Sequence, residues 1–78
     1  MTTWNTIDNH HIEKTVTFKN FIEALAFTNK VGDLAEQHNH HPEITLTWGL
    51  VIIKIWTHSE NAITPKDHTL AAAIDTLK

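Results

Sequence analysis

From Ile12 to Phe18 apolar and polar side chains alternate. Ile12, Lys14, Val16 and Phe18 fall on one side and Glu13, Thr15 and Thr17 on the other, the period-two pattern of a half-buried strand. Trp4 to Ile7 reads as its partner, with Asp8-Asn9 as the turn. The period then changes. Phe21, Ala24, Leu25, Val31, Leu34 and Ala35 recur at helical spacing, and Phe27 widens the stripe. Asn20 can cap the first turn, with Glu23 completing a capping-box-like start. The helix is expected to run to about Gln37 despite Gly32, and must stop before Pro42, which disfavours helical geometry in His41.

Ile44 to Thr57 is strongly strand-forming, with Trp48-Gly49 as a bend or bulge between a short strand and a longer one, Leu50 to Thr57. Val51, Ile53 and Ile55 share one face. Leu50, Ile52 and Trp56 beside Lys54 make the other too apolar for a surface left to water, which points to contact between subunits. Thr64-Pro65-Lys66-Asp67 announces a last helix, with Thr64 as cap, Pro65 at the first helical position, Asp67 near the positive end of the dipole, and Leu70, Ala71, Ile74 and Leu77 as the buried stripe. The order β-β-α-β-β-α defines an α+β fold: a four-stranded antiparallel sheet with two helices on one face.

Composition narrows the function. The 78 residues suit one domain spanning 1–78, and nothing marks a linker or repeat. A formal charge of -3 with scattered lysines argues against direct nucleic-acid binding. The chain has no cysteine, hence no disulfide, thiol nucleophile or thiolate ligand, and its longest apolar run, Leu50 to Ile53, is too short to span a membrane. Without a basic-then-apolar start, no export signal is visible and a cytoplasmic location is expected. The one excess is histidine, seven in all, with His38, His40, His41 and His58 in the half of the chain carrying the strongest structural signals.

Read from Glu36, the chain gives His40-His41-Pro42, then Trp48, then Thr57-His58, then Asp67 and Leu70-Ala71. This constellation resembles the signature of the pterin-4a-carbinolamine dehydratases, also known as dimerization cofactor of a homeodomain transcription factor, over about Trp4 to the C-terminus. The resemblance implies a homodimer or homotetramer that removes water from 4a-hydroxytetrahydrobiopterin to give the quinonoid dihydropterin. The reduced pterin is substrate, no metal or organic cofactor is involved, and an aromatic amino-acid hydroxylase would supply the carbinolamine. It implies His40, His41 and His58 as catalytic residues and Glu36 and Asp67 as acids near these imidazoles; Asn39 and Pro42 join them as substrate-binding or orienting positions. Three departures are visible. Asn39 stands where many members carry an acid, Ile44 where members commonly carry a tryptophan, and the chain reads as a compact variant without the N-terminal helix of many relatives.

The chemistry suits these residue types. Loss of the 4a-hydroxyl needs a proton delivered to the leaving oxygen and another taken from a ring nitrogen, and histidine can do either near neutrality. His40 and His58 are the expected acid–base pair, His41 a contact to the hydroxyl, and Glu36 a holder of one imidazole's tautomer. His10, His11, His38 and His68 read as surface or satisfied core residues. Asp67 is equally well explained by helix capping, and Trp48 reads as a structural residue filling the core beside Pro42. A zinc site built from His38, His40, His41 and His58 is the competing arrangement, disfavoured because adjacent histidines cannot easily aim at one ion. A non-catalytic pterin-binding or protein-assembly module is the competing function.

Overall fold

The computed structural model describes residues 4–77, which form β1 (Asn5–Ile7), β2 (His11–Thr17), α1 (Phe21–His38), β3 (Glu43–Leu46), β4 (Leu50–Ile55) and α2 (Pro65–Asp75). The strands make one antiparallel sheet in the order β1-β2-β4-β3, which puts the two best-patterned strands at its centre. Ile12 and Val16 from β2 and Val51, Ile53 and Ile55 from β4 pack against Ala24, Phe27 and Val31 of α1 and Leu70, Ala71 and Ile74 of α2. The fold is the expected α+β arrangement. Each fully buried isoleucine here contributes roughly 1.5–3 kcal/mol of transfer free energy.

Lys14 occupies an inward position of β2 and is buried, which is tolerable only because a partner reaches it. Its ammonium meets Asp75 Oδ1 at 2.5 Å and lies 5.6 Å from the centre of the Trp4 ring, whose Nε1 donates to the same carboxylate at 3.0 Å. The end of α2 is thereby tied to the sheet.

The turns are set by local chemistry. Asp8 and Asn9 both take positive φ (54° each), the left-handed conformation these residue types tolerate best, and link β1 to β2. Asn20 caps α1 as expected, its side chain accepting from the Glu23 amide at 2.9 Å. Trp48-Gly49 is a tight hairpin turn rather than a bulge, closed by the Thr47 amide donating to Leu50 O at 2.9 Å. A side chain at position 49 would crowd the Phe18 carbonyl, which its Cβ would approach to 3.2 Å.

Several expectations need correction. Trp48 does not fill the core: it projects from the apex of the β3–β4 turn and is 73% exposed. Phe21 and Leu25 are exposed, because the face of α1 that meets the sheet is centred on Ala24, Phe27, Val31 and Ala35. β4 ends at Ile55, two residues early; Thr57 instead makes an isolated bridge to Ala62, across a loop in which Asn61 takes a φ of 50°.

Candidate active site

α1 stops one residue later than the periodicity predicts, and its exit shapes the site. Asn39 adopts the left-handed conformation (φ 49°, ψ 43°), and the amides of Asn39 and His40 close back on the carbonyls of Ala35 and Glu36. The chain leaves the helix sharply, and the consecutive imidazoles of His40 and His41 turn to different partners.

His40 lies against the start of α2. Its Nε2 is 2.5 Å from Asp67 Oδ1, and its side chain is only 11% exposed. Asp67 is fully buried, and its other oxygen accepts from the Thr64 amide at 2.7 Å and from Thr57 Oγ1 at 3.0 Å. Thr57 has a single hydroxyl hydrogen, which the carboxylate must receive, so the 2.6 Å contact between Thr57 and Thr64 has Thr64 as donor. Asp67 therefore does both things that the sequence left evenly balanced, capping α2 through the Thr64 amide and holding an imidazole. Because a carboxylate only accepts, Nε2 of His40 carries hydrogen and Nδ1 is the ring nitrogen left for a ligand.

His41 reaches back to Glu36, Nε2 to Oε2 at 2.5 Å, but this pair is exposed to solvent. His58 follows Thr57 in the loop after β4 and has no carboxylate partner among the described residues. Its ring stacks on Trp56, with centroids 4.5 Å apart and planes inclined by 22°. Trp56 is in turn flanked by His10 and His11, at centroid distances of 5.1 and 5.9 Å. These two histidines, read as surface or satisfied core residues, touch through their Nδ1 atoms at 3.2 Å. His11 Nε2 is buried without a hydrogen bond, although Glu13 Oε1 lies 3.5 Å away, a separation whose geometry does not make one.

His40, His41 and His58 line one open cleft of about 400 Å³, together with Asn39, Thr57, Ser59 and Lys66. A second depression of about 380 Å³ shares Asn39, His40 and Lys66 with it and extends past His38, Pro65 and Thr69. Glu36 and Asp67 stand behind the imidazoles, each bonded to one. Pro42 is half-buried and does not line the cleft. Sequence reasoning missed Lys66, Ser59 and Trp56. Lys66 adjoins Asp67, so the capping signal of α2 pointed to its neighbourhood; nothing in the chain flagged Trp56 as a neighbour of His58. The four histidines of the competing zinc arrangement do not converge: among the described residues no group of three or more potential ligands has metal-binding geometry.

Fold and site define a small histidine-lined α+β domain, and comparison with known proteins places it. Residues 1–77 match the Pterin 4 alpha carbinolamine dehydratase family, and the chain belongs to that family. It is 45% identical over 95% of its length to a Rubrobacter xylanophilus protein that bears the family's name, covering 69% of that protein, and 44% identical to one from Alkaliphilus metalliredigens, covering 65%. The chain thus spans about two thirds of the length of these curated relatives. Among solved structures, the transcriptional coactivator/pterin dehydratase of Brucella melitensis superposes with a TM-score of 0.87 at 31% identity, covering 94% of this chain and 79% of that one. A pterin dehydratase-like protein identified as a RuBisCO assembly factor in the alpha-carboxysome shares the fold, with a TM-score of 0.81 at 21% identity. Among the described residues no helix is long and apolar enough to cross a membrane.

Proposed function

We propose that this chain dehydrates a 4a-hydroxytetrahydropterin to the quinonoid dihydropterin by histidine acid–base catalysis. The observation that carries the reading is the meeting of His40, His41 and His58 at one cleft, with His40 backed by a fully buried carboxylate. The reaction breaks the C4a–O bond. The oxygen departs as water with an added proton, a ring nitrogen gives up its proton, and no electrons are exchanged with a cofactor.

In this reading Nδ1 of His40 takes the ring proton, and Asp67 stabilises the imidazolium that forms, as a buried carboxylate does for a neighbouring base. His58 protonates the leaving hydroxyl, and His41, held by Glu36, binds it. Asn39 contributes a side-chain amide at the cleft edge, while Pro42 acts on the site by keeping His41 out of helical geometry. The protein works as one domain, as a homodimer or homotetramer in the cytoplasm, on carbinolamine released by an aromatic amino-acid hydroxylase. The reading is tested by a crystal complex with 7,8-dihydrobiopterin. The bicyclic ring is expected between His40, His41 and His58; a ring bound elsewhere rejects the assignment.

A second reading is a non-catalytic pterin-binding or assembly module. It is favoured by the solved relative of this fold that is identified as an assembly factor, and by the absence of a tryptophan at position 44. A stable complex with another protein that survives the double change His40→Ala and His41→Ala supports this reading over the enzymatic one.

A further inference from the structure

The two adjoining depressions hold no acidic side chain in their linings, although the chain as a whole carries nine Asp and Glu against six Lys. They are lined instead by four histidines, His38, His40, His41 and His58, and by Lys66, which borders both. Asp67 and Glu36, which stand behind the lining histidines, are each engaged by one of them.

Lys66 also differs from three of the chain's six lysines. Lys14, Lys19 and Lys54 pair with Asp75, Glu23 and Glu43, whereas among the described residues no carboxylate lies within ion-pairing distance of Lys66. Thr69 has its hydroxyl committed to the Pro65 carbonyl at 3.0 Å, so the uncommitted polar groups of the second depression are those of Lys66, His38 and Asn39, and Nδ1 of His40. An unpaired cation in a concave surface without acids favours an anionic ligand group, and charge-assisted bonds to it are stronger than neutral ones.

We infer that the second depression is a subsite for an anionic side chain of the pterin, a phosphate or carboxylate on the ring's substituent, with Lys66 as its specificity-determining residue. The inference rests on the reading above, which places the pterin ring among His40, His41 and His58. The two depressions share Asn39, His40 and Lys66 and so adjoin, which puts the second within reach of a substituent on a ring bound in the first. The preferred substrate class is then a reduced pterin with a charged tail.

Titration calorimetry of the full chain with 6-hydroxymethylpterin, its monophosphate and inorganic phosphate separates the possibilities. At low salt the monophosphate is expected to bind about fivefold or more tightly than the alcohol. That preference should shrink with added salt and fall towards unity in Lys66→Gln. Asn39→Asp, which introduces an acid into the lining, should reduce it as well. Equal binding of alcohol and phosphate overturns the subsite, as does a preference unchanged in Lys66→Gln, or inorganic phosphate binding as tightly as the pterin phosphate. Failure of every pterin to bind instead rejects the pterin reading of the cleft, a distinct outcome.

Discussion

Asp67 carries more of this protein than any other single side chain. It is fully buried, it closes the first turn of α2 through the Thr64 amide, and it fixes which nitrogen of His40 bears hydrogen. Asp67→Asn keeps the size but replaces one accepting oxygen by a donating amide. Turned towards His40, that amide requires Nε2 to accept, and the hydrogen moves to Nδ1. We expect the fold to survive and the dehydration rate to fall by about tenfold or more. Nitrogen chemical shifts of the His40 ring should report the exchanged tautomer; an unchanged tautomer with an unchanged rate would contradict the role. His58 depends on a different device, the Trp56 indole. Trp56→Leu should remove the upfield ring-current displacement of the His58 ring protons, whereas Trp56→Phe should largely keep it. Identical His58 resonances in all three proteins would show that the stack does not hold the imidazole. The histidines themselves were legible in the chain because their spacing survives translation into structure. Trp56 was not, since an alternating strand says which face a residue takes but not which ring, two positions on, folds over it.

At the scale of elements, the exit of α1 shows where pattern reading reaches its limit. Pro42 bounds the helix, but the stopping point is set by Asn39, which accepts the left-handed conformation that most residues avoid. Asn39→Val places a β-branched residue at that φ and should cost about 1–2 kcal/mol, read as a lower urea midpoint with an unchanged slope. Asn39→Gly should cost almost nothing. A stable Asn39→Val protein would mean that the helix exit is held by other contacts. The two central strands and α2 were readable because each carries a regularly spaced apolar set on the face that meets the core. The exposure of Phe21, Leu25 and Trp48 was not, for related reasons. Helical spacing defines a broad stripe but not its centre, and an aromatic at a hairpin apex has no neighbouring strand to cover it.

For the whole molecule the outer face of the sheet sets the assembly. Ile52 lies at its middle, paired across to Thr15 on one side and Thr45 on the other, with Leu50 on the same strand, Trp56 just past its end and Lys54 held 3.9 Å from Glu43. Covering this apolar face with a second copy would add to the stability of the fold. We expect sedimentation equilibrium to give a multiple of the 8.9 kDa chain mass, and Ile52→Lys to shift it towards the monomer. A wild-type monomer at micromolar concentration would remove this face as an interface. The sequence showed that the face is unusually apolar, but a single chain does not specify what covers it.

All three scales meet in the claim that one cleft of three imidazoles performs the dehydration. The most direct test is rapid-mixing absorbance of freshly generated 4a-hydroxytetrahydropterin, decaying with and without the protein. The account predicts accelerated formation of the quinonoid dihydropterin by the wild-type chain and a loss of that acceleration on the order of 100-fold or more in His40→Ala. A decay rate that the wild-type protein leaves unchanged, or one that His40→Ala lowers only a few-fold, would contradict it.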